Sequence, residues 1–190
     1  MLPEPLEVTL LVTDAFESLA IPYFVGGSLA TALHGIARST LDVDLVADLR
    51  LEQVDVLAQM LNGAFYADAA MMRDAVRQQS SFNLIHLKSM FKVDVFVRST
   101  RPFDRSQFDR RTLHQLSDSP PRSAYVATPE DNILAKLTWY RLGDEVSDRQ
   151  WQDIINVITI QGDRIDVAYL RRWATQLGVT DLLEQALRAV

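Results

Sequence analysis

The 190-residue sequence contains no cysteine, which excludes a disulfide framework, a thiolate zinc site and a cysteine nucleophile. It has no basic surplus either. Nineteen Lys and Arg stand against 25 Asp and Glu, a formal charge of −6, which argues against broad electrostatic binding of nucleic acid while leaving room for a local basic patch. Its three histidines, His34, His86 and His114, are too scattered for a zinc site, and His34 reads as a capping or packing residue. The N-terminal apolar stretch is interrupted by Glu4, Glu7, Asp14 and Glu17 and is not preceded by basic residues. It is therefore expected to be neither a signal peptide nor a membrane span. No repeat or low-complexity tract is evident. Together these absences lead us to expect a soluble, cytoplasmic protein without a membrane partner.

A hydrophobic content of 48% is enough for a sizeable core, in one compact domain or a small domain with a helical extension. Leu6, Leu10, Leu11, Ala15, Phe16 and Leu19 recur at helical spacing up to Pro22, and Tyr23-Phe24-Val25 follows as a short strand. Gly26-Gly27 makes a turn, Ser28 is expected to cap a helix over 29–34, and Gly35 stops it. Residues 41–46 alternate apolar and acidic, the period of a strand with one polar face. Helices are predicted over 51–61, 69–79 and 104–116, and strands over 82–87 and 92–97, with 117–121 as a loop. From Thr128-Pro129-Glu130-Asp131 onward only helices follow, with starts at Thr128, Ser147, Asp166 and Thr180. The expected fold is α/β (α+β): a small mixed sheet flanked by helices over residues 1–127, then a C-terminal helical bundle over 128–190.

Chemistry concentrates in the first part. Asp42 and Asp44, at positions i and i+2 of a strand, share a face and can converge on one cation or on a pair. A lone Asp-x-Asp is more often a solvated strand face. Here it lies downstream of Phe24-Val25-Gly26-Gly27-Ser28, a strand, glycine turn and helix start of the kind whose amides and hydroxyl receive phosphate.

The order and separation of these motifs, with Val93-Asp94-Val95 on a later strand, resemble the DNA polymerase β-like nucleotidyltransferase superfamily. The run from Gly26 through Arg38, Thr40 and Asp42 to Asp44 is most similar to a small bacterial branch that includes AbiEii-type abortive-infection and toxin–antitoxin enzymes, where the phrase Arg-x-Thr-x-Asp-x-Asp recurs. The resemblance covers residues 20 to about 100, and more loosely the tail as far as Lys136. It implies an EC 2.7.7-type enzyme. Two Mg2+ ions, roughly 3.5–4 Å apart, would be held by Asp42, Asp44 and Asp94, and a nucleoside triphosphate by Gly26, Gly27 and Ser28, with Lys136 reaching toward it, although an exposed helix lysine is the ordinary expectation there. The interval between Asp44 and Asp94 is long, and Asp68, Asp74 and Asp104 compete for the third place; only Asp94 sits alone between β-branched residues.

Other candidates have two readings. Arg38 can pair with phosphate or the metal carboxylates, or lock its loop by a salt bridge. Lys92 alternates with Asp94 on one face, and either neutralises phosphate or pairs with an acid; it stays outside the predicted site. Trp139, Tyr140, Trp151, Tyr169 and Trp173 read as core of the tail, with a place beside the nucleotide left open for one of them. Arg98, Arg101, Arg105, Arg110 and Arg111, interleaved with Asp104 and Asp109, read as a solvated face rather than an RNA surface. The acceptor is not legible: RNA, protein and a small drug-like alcohol all stay open. A toxin-like enzyme with a cognate antitoxin is the first reading, and an antibiotic-modifying transferase the second. A non-catalytic nucleotide- or partner-binding module is the rival of a different class.

Overall fold

The computed structural model describes residues 3–36, 40 and 42–190; Arg38 and Leu41 lie outside them. Helix α1 (Glu4–Ser18) leads into β1 (Tyr23–Val25), α2 (Gly27–His34), β2 (Asp42–Ala47), α3 (Leu51–Leu61), β3 (Phe65–Tyr66), α4 (Ala69–Gln78), β4 (Ser81–His86) and β5 (Lys92–Val97). Then come α5 (Pro102–Arg110), β6 (Thr112–Asp118), β7 (Pro121–Val126) and the tail helices α6 (Pro129–Leu142), α7 (Asp148–Gln161), α8 (Val167–Leu177) and α9 (Thr180–Arg188).

The strands of the described residues form one seven-stranded mixed sheet in the order β3-β4-β5-β2-β1-β7-β6. At its centre β2 runs parallel to β5, while β1 is antiparallel to β2 and parallel to β7. The alternation along β2 and β5 decides how the sheet is placed. Val43, Leu45, Ala47, Val93 and Val95 are fully buried against a core that includes Val8, Phe16, Val54, Leu57 and Met72 from α1, α3 and α4. Slipping either strand by one residue would drive its acids or lysine into that apolar layer, so the register is strongly fixed. A second apolar cluster joins α6, α7, α8 and α9 and takes in Phe103 of α5. On the other face of the sheet Phe108 of α5 sits edge-on to Phe24, with ring centroids 5.1 Å apart. Among the described residues no helix is long and apolar enough to cross a membrane.

Several expectations change. The helix predicted over 104–116 ends at Arg110, and Thr112–Asp118 is a strand paired antiparallel with Pro121–Val126. Its partner is the reason: β7 docks beside β1, bonding Ala127 N–H to the Val25 carbonyl, and β6 completes the hairpin. The expected loop at 117–121 shrinks to the hairpin turn. The sheet thus gains this hairpin and the short β3. Ser28 is not the cap of α2; Gly26 is, and Ser28 lies inside the first turn. The last helix is preceded by Val179 rather than capped by Thr180. Thr128, Ser147 and Asp166 do cap α6, α7 and α8 through their side chains.

Candidate active site

The parallel pairing of β2 with β5 sets Asp42 beside Lys92 and Asp44 beside Asp94. Because residues at even positions of both strands face away from the buried core, three carboxylates and one ammonium share a small area of the sheet face. Asp68, Asp74 and Asp104 are engaged elsewhere: Asp68 caps α4, Asp74 pairs with Arg77, and Asp104 pairs with Arg101.

The turn between β1 and α2 closes over this patch. Gly26 N–H donates to the Asp44 carbonyl at 2.9 Å. Gly27, with φ of +53°, packs so tightly on Asp44 that a Cβ there would stand 2.6 Å from Asp44 Cγ. Glycine is required at 27 for both the left-handed backbone and the close approach, whereas a Cβ on Gly26 would meet nothing nearer than 3.8 Å. The first amides of α2 and Ser28 therefore begin directly beside Asp44, where the helix dipole favours an anion.

Asp42 is oriented by a buried hydroxyl. Thr40 Oγ1 donates to the Asp42 carbonyl at 2.8 Å, and lies 3.1 Å from Asp42 Oδ1. Lys92 Nζ contacts Asp94 Oδ2 at 2.7 Å, and this bond, with the charges of Asp94, Asp42 and Asp44, raises the lysine pKa against a smaller desolvation effect. Asp44 is pushed up to about 6, first by burial and then by the negative charges of Asp42 and Asp94, with Lys136 and Lys92 opposing. Lys136 is buried, not the exposed helix lysine ordinarily expected; its ammonium is 3.0 Å from Asp153 Oδ2 on α7.

Among the described residues no group of three or more acids or histidines stands ready to hold a metal ion as the side chains lie. The chemistry of Asp42, Asp44 and Asp94 nevertheless fits a divalent cation: oxygen donors on a fixed sheet face, one of them held at a raised pKa first by burial and then by its acidic neighbours, a repulsion that a cation would relieve.

The remaining candidates fall as follows. His34 packs, its Nε2 2.6 Å from the Ala127 carbonyl, and burial is the main cause of its lowered pKa. Of the basic cluster, Arg98, Arg101 and Arg110 pair with Asp48, Asp104 and Glu130, and Arg111 lies over Tyr125. Tyr169 is core, as expected, but Trp139 is 55% exposed, one turn beyond Lys136, with its ring 6.0 Å from Phe96. Phe96 follows Asp94 by two residues on the same sheet face, so an aromatic wall borders the acids. Thr40 and Lys92 were visible in the sequence as neighbours of the aspartates; Asp153 and the Phe96–Trp139 contact gave no local signal.

A concavity between α1 and the β6–β7 hairpin, lined by Asp14, Glu17, Tyr23 and Arg122, lies away from these acids. Arg122 is already paired with Asp14 within it.

No protein-family model matches the chain, and no curated protein matches it. Solved structures do. The lincosamide antibiotic adenylyltransferase LnuA, in its lincomycin-bound crystal structure, is 15% identical, with 84% of this chain and 98% of that one covered, at a TM-score of 0.54. An antigenic nucleotidyltransferase-like protein from Paracoccidioides brasiliensis is 20% identical over 100% of this chain and 94% of that one, at 0.57. The antibiotic-resistance factor ANT(2'')-Ia, in its solution structure, is 15% identical over 97% of each chain, at 0.58. The chain thus has a nucleotidyltransferase-like fold.

Proposed function

We propose that this chain is a magnesium-dependent nucleotidyltransferase, which moves a nucleoside monophosphate from a nucleoside triphosphate to a hydroxyl acceptor and releases pyrophosphate. The observation that carries the reading is the register of Asp44 beside Asp94, with Asp42 two residues away and the Gly27 turn packed on the Asp44 carboxylate. We assign residues 1–127 to the catalytic part and 128–190 to the helical subdomain that supplies Lys136.

Asp42 and Asp44 would hold both ions, and Asp94 the one beside the acceptor. Magnesium held there would supply polarisation of the α-phosphate and neutralisation of the pyrophosphate charge. The chain's own groups do the rest. The first amides of α2 and Ser28 hold the β- and γ-phosphates at the positive end of the helix. Gly27 lets the triphosphate approach Asp44 without a side chain between them. Lys136, fixed by Asp153, adds positive charge on the side of α6, and Arg38, four residues before Asp42 in the sequence, is a further candidate for the phosphates. Asp94 takes the acceptor's proton as its oxygen bonds to the α-phosphorus; the bond from that phosphorus to the bridging oxygen breaks, and pyrophosphate leaves with the electron pair.

The Arg-x-Thr-x-Asp-x-Asp phrase supports a toxin-like, cytoplasmic enzyme of the abortive-infection branch, acting on RNA or protein and restrained by an antitoxin. A second reading, modification of a small alcohol, is favoured by the pairing of Arg98, Arg101 and Arg110 with acids, which leaves those side chains little to offer a phosphate backbone. Similar in fold are LnuA, a lincosamide antibiotic adenylyltransferase, and the antibiotic-resistance factor ANT(2'')-Ia.

The test is label transfer from each α-labelled triphosphate with magnesium, offered total RNA, cell protein, and a panel of aminoglycosides and lincosamides. Transfer to one acceptor class, abolished by Asp42→Asn, is expected. Triphosphate binding without transfer to any of them would leave a binding module, and loss of both would overturn the reading.

A further inference from the structure

We propose that Lys92 is the built-in counter-ion of Asp94 and makes the two cation positions unequal: one divalent ion settles on Asp42 and Asp44, and the acceptor-side position opens only as Lys92 leaves Asp94. The inference rests on the nucleotidyltransferase reading above and deepens it.

The geometry is a square on one sheet face. Asp42 and Asp44 form one side, Lys92 and Asp94 the other, with Asp42 level with Lys92 and Asp44 level with Asp94. Lys92 Nζ meets Asp94 Oδ2 at 2.7 Å, so it engages a carboxylate oxygen that a second ion would need. Three carboxylates and one ammonium leave two negative charges, which a single divalent ion neutralises. A second ion is called for only when a triphosphate brings further negative charge. The lysine can also leave. Its side chain is 44% exposed, and a partly exposed pair of this kind is weak enough for a divalent ion to displace. Lys136 cannot take its place, because its ammonium is committed to Asp153 at 3.0 Å.

Binding of Mn2+ to the full chain, followed by the electron paramagnetic resonance of the free ion, reads this directly, with and without a triphosphate whose α,β-bridge is methylene. For the parent protein we expect one tight ion without nucleotide and a second, weaker ion. Lys92→Met should tighten the second by about fivefold or more and change the first by less than about twofold. Lys92→Gln, a polar replacement of similar length, should behave alike, and thermal melts should confirm that both variants are folded. Asp94→Asn should remove the second ion and keep the first.

Two ions of equal affinity in the parent protein would overturn the proposal, as would a Lys92 variant that moves both ions alike or neither. Weaker triphosphate binding with unchanged Mn2+ affinity would make Lys92 a phosphate ligand instead. If the parent protein binds no Mn2+ even with nucleotide, the metal site itself falls, and this inference with it.

Discussion

Gly27 and Asp44 are packed so closely that no side chain fits between them: a Cβ at 27 would stand 2.6 Å from Asp44 Cγ and 2.9 Å from its Cβ. The positive φ at Gly27 places the start of α2 directly over the acidic strand. The contact joins the two motifs that the chain carries some 15 residues apart into one site.

Gly27→Ala should therefore be costly twice over, through the clash and through the left-handed backbone. A loss of about 2–4 kcal/mol is expected in urea denaturation. Gly26→Ala, where space and φ are ordinary, should lose far less stability; a variant pair with equal losses would contradict the packing described.

Asp44→Asn should stabilise the metal-free protein at neutral pH. The folded pKa of about 6 exceeds the ordinary 3.8, so the native state favours the protonated carboxyl. That advantage is complete below about pH 4 and is lost as the pH rises through 6. At pH 7 the variant should be more stable by up to about 3 kcal/mol, and the difference should vanish near pH 4. Melting curves from pH 4 to 8 in chelator would show it. Magnesium should raise the Tm of the parent protein but not that of the variant by the same amount.

Lys136→Met should cost about 3 kcal/mol, since it leaves the buried Asp153 without its ammonium partner. The double change Lys136→Met with Asp153→Asn should recover much of that stability. Triphosphate affinity should remain low in both, if Lys136 serves the nucleotide; recovery of affinity in the double variant would assign the lysine a purely structural part.

Tyr169→Phe should lower stability by about 2 kcal/mol. Its hydroxyl donates at 2.6 Å to Asp131, a fully buried carboxylate whose pKa burial raises despite the Tyr169 and Thr128 hydroxyls and nearby Arg110. The network ties α8 to the start of α6. Chemical denaturation of the variant measures the effect.

Trp139→Ala should leave stability within about 1 kcal/mol of the parent protein, because the indole is largely exposed. Its effect should fall on the KM of the acceptor or nucleotide, together with loss of a fluorescence change on ligand addition. Unchanged KM for both would remove the Phe96–Trp139 wall from the site.

The sequence by itself determined the elements whose cause is local. The alternation of Asp42-Val43-Asp44-Leu45 and of Lys92-Val93-Asp94-Val95 specifies two strands with one polar face, because side chains on a strand point alternately to opposite sides. Thr128, Ser147 and Asp166 announce their helices, because a capping oxygen must sit a fixed number of residues from the amide it accepts. Glycine at 27 is legible as a turn, although its reason, the body of Asp44, is not.

The tertiary structure alone decided what depends on partners distant in the chain. Residues 112–118 become a strand only because β7 docks on β1, a pairing that no local pattern encodes. Lys136 acquires its carboxylate from α7, and Trp139 of α6 meets Phe96 of β5. The level placement of Asp44 with Asp94, and of Asp42 with Lys92, comes from a parallel pairing between segments about 50 residues apart. Spacing names the acids, but the hydrogen-bond register of the two strands sets which charge faces which.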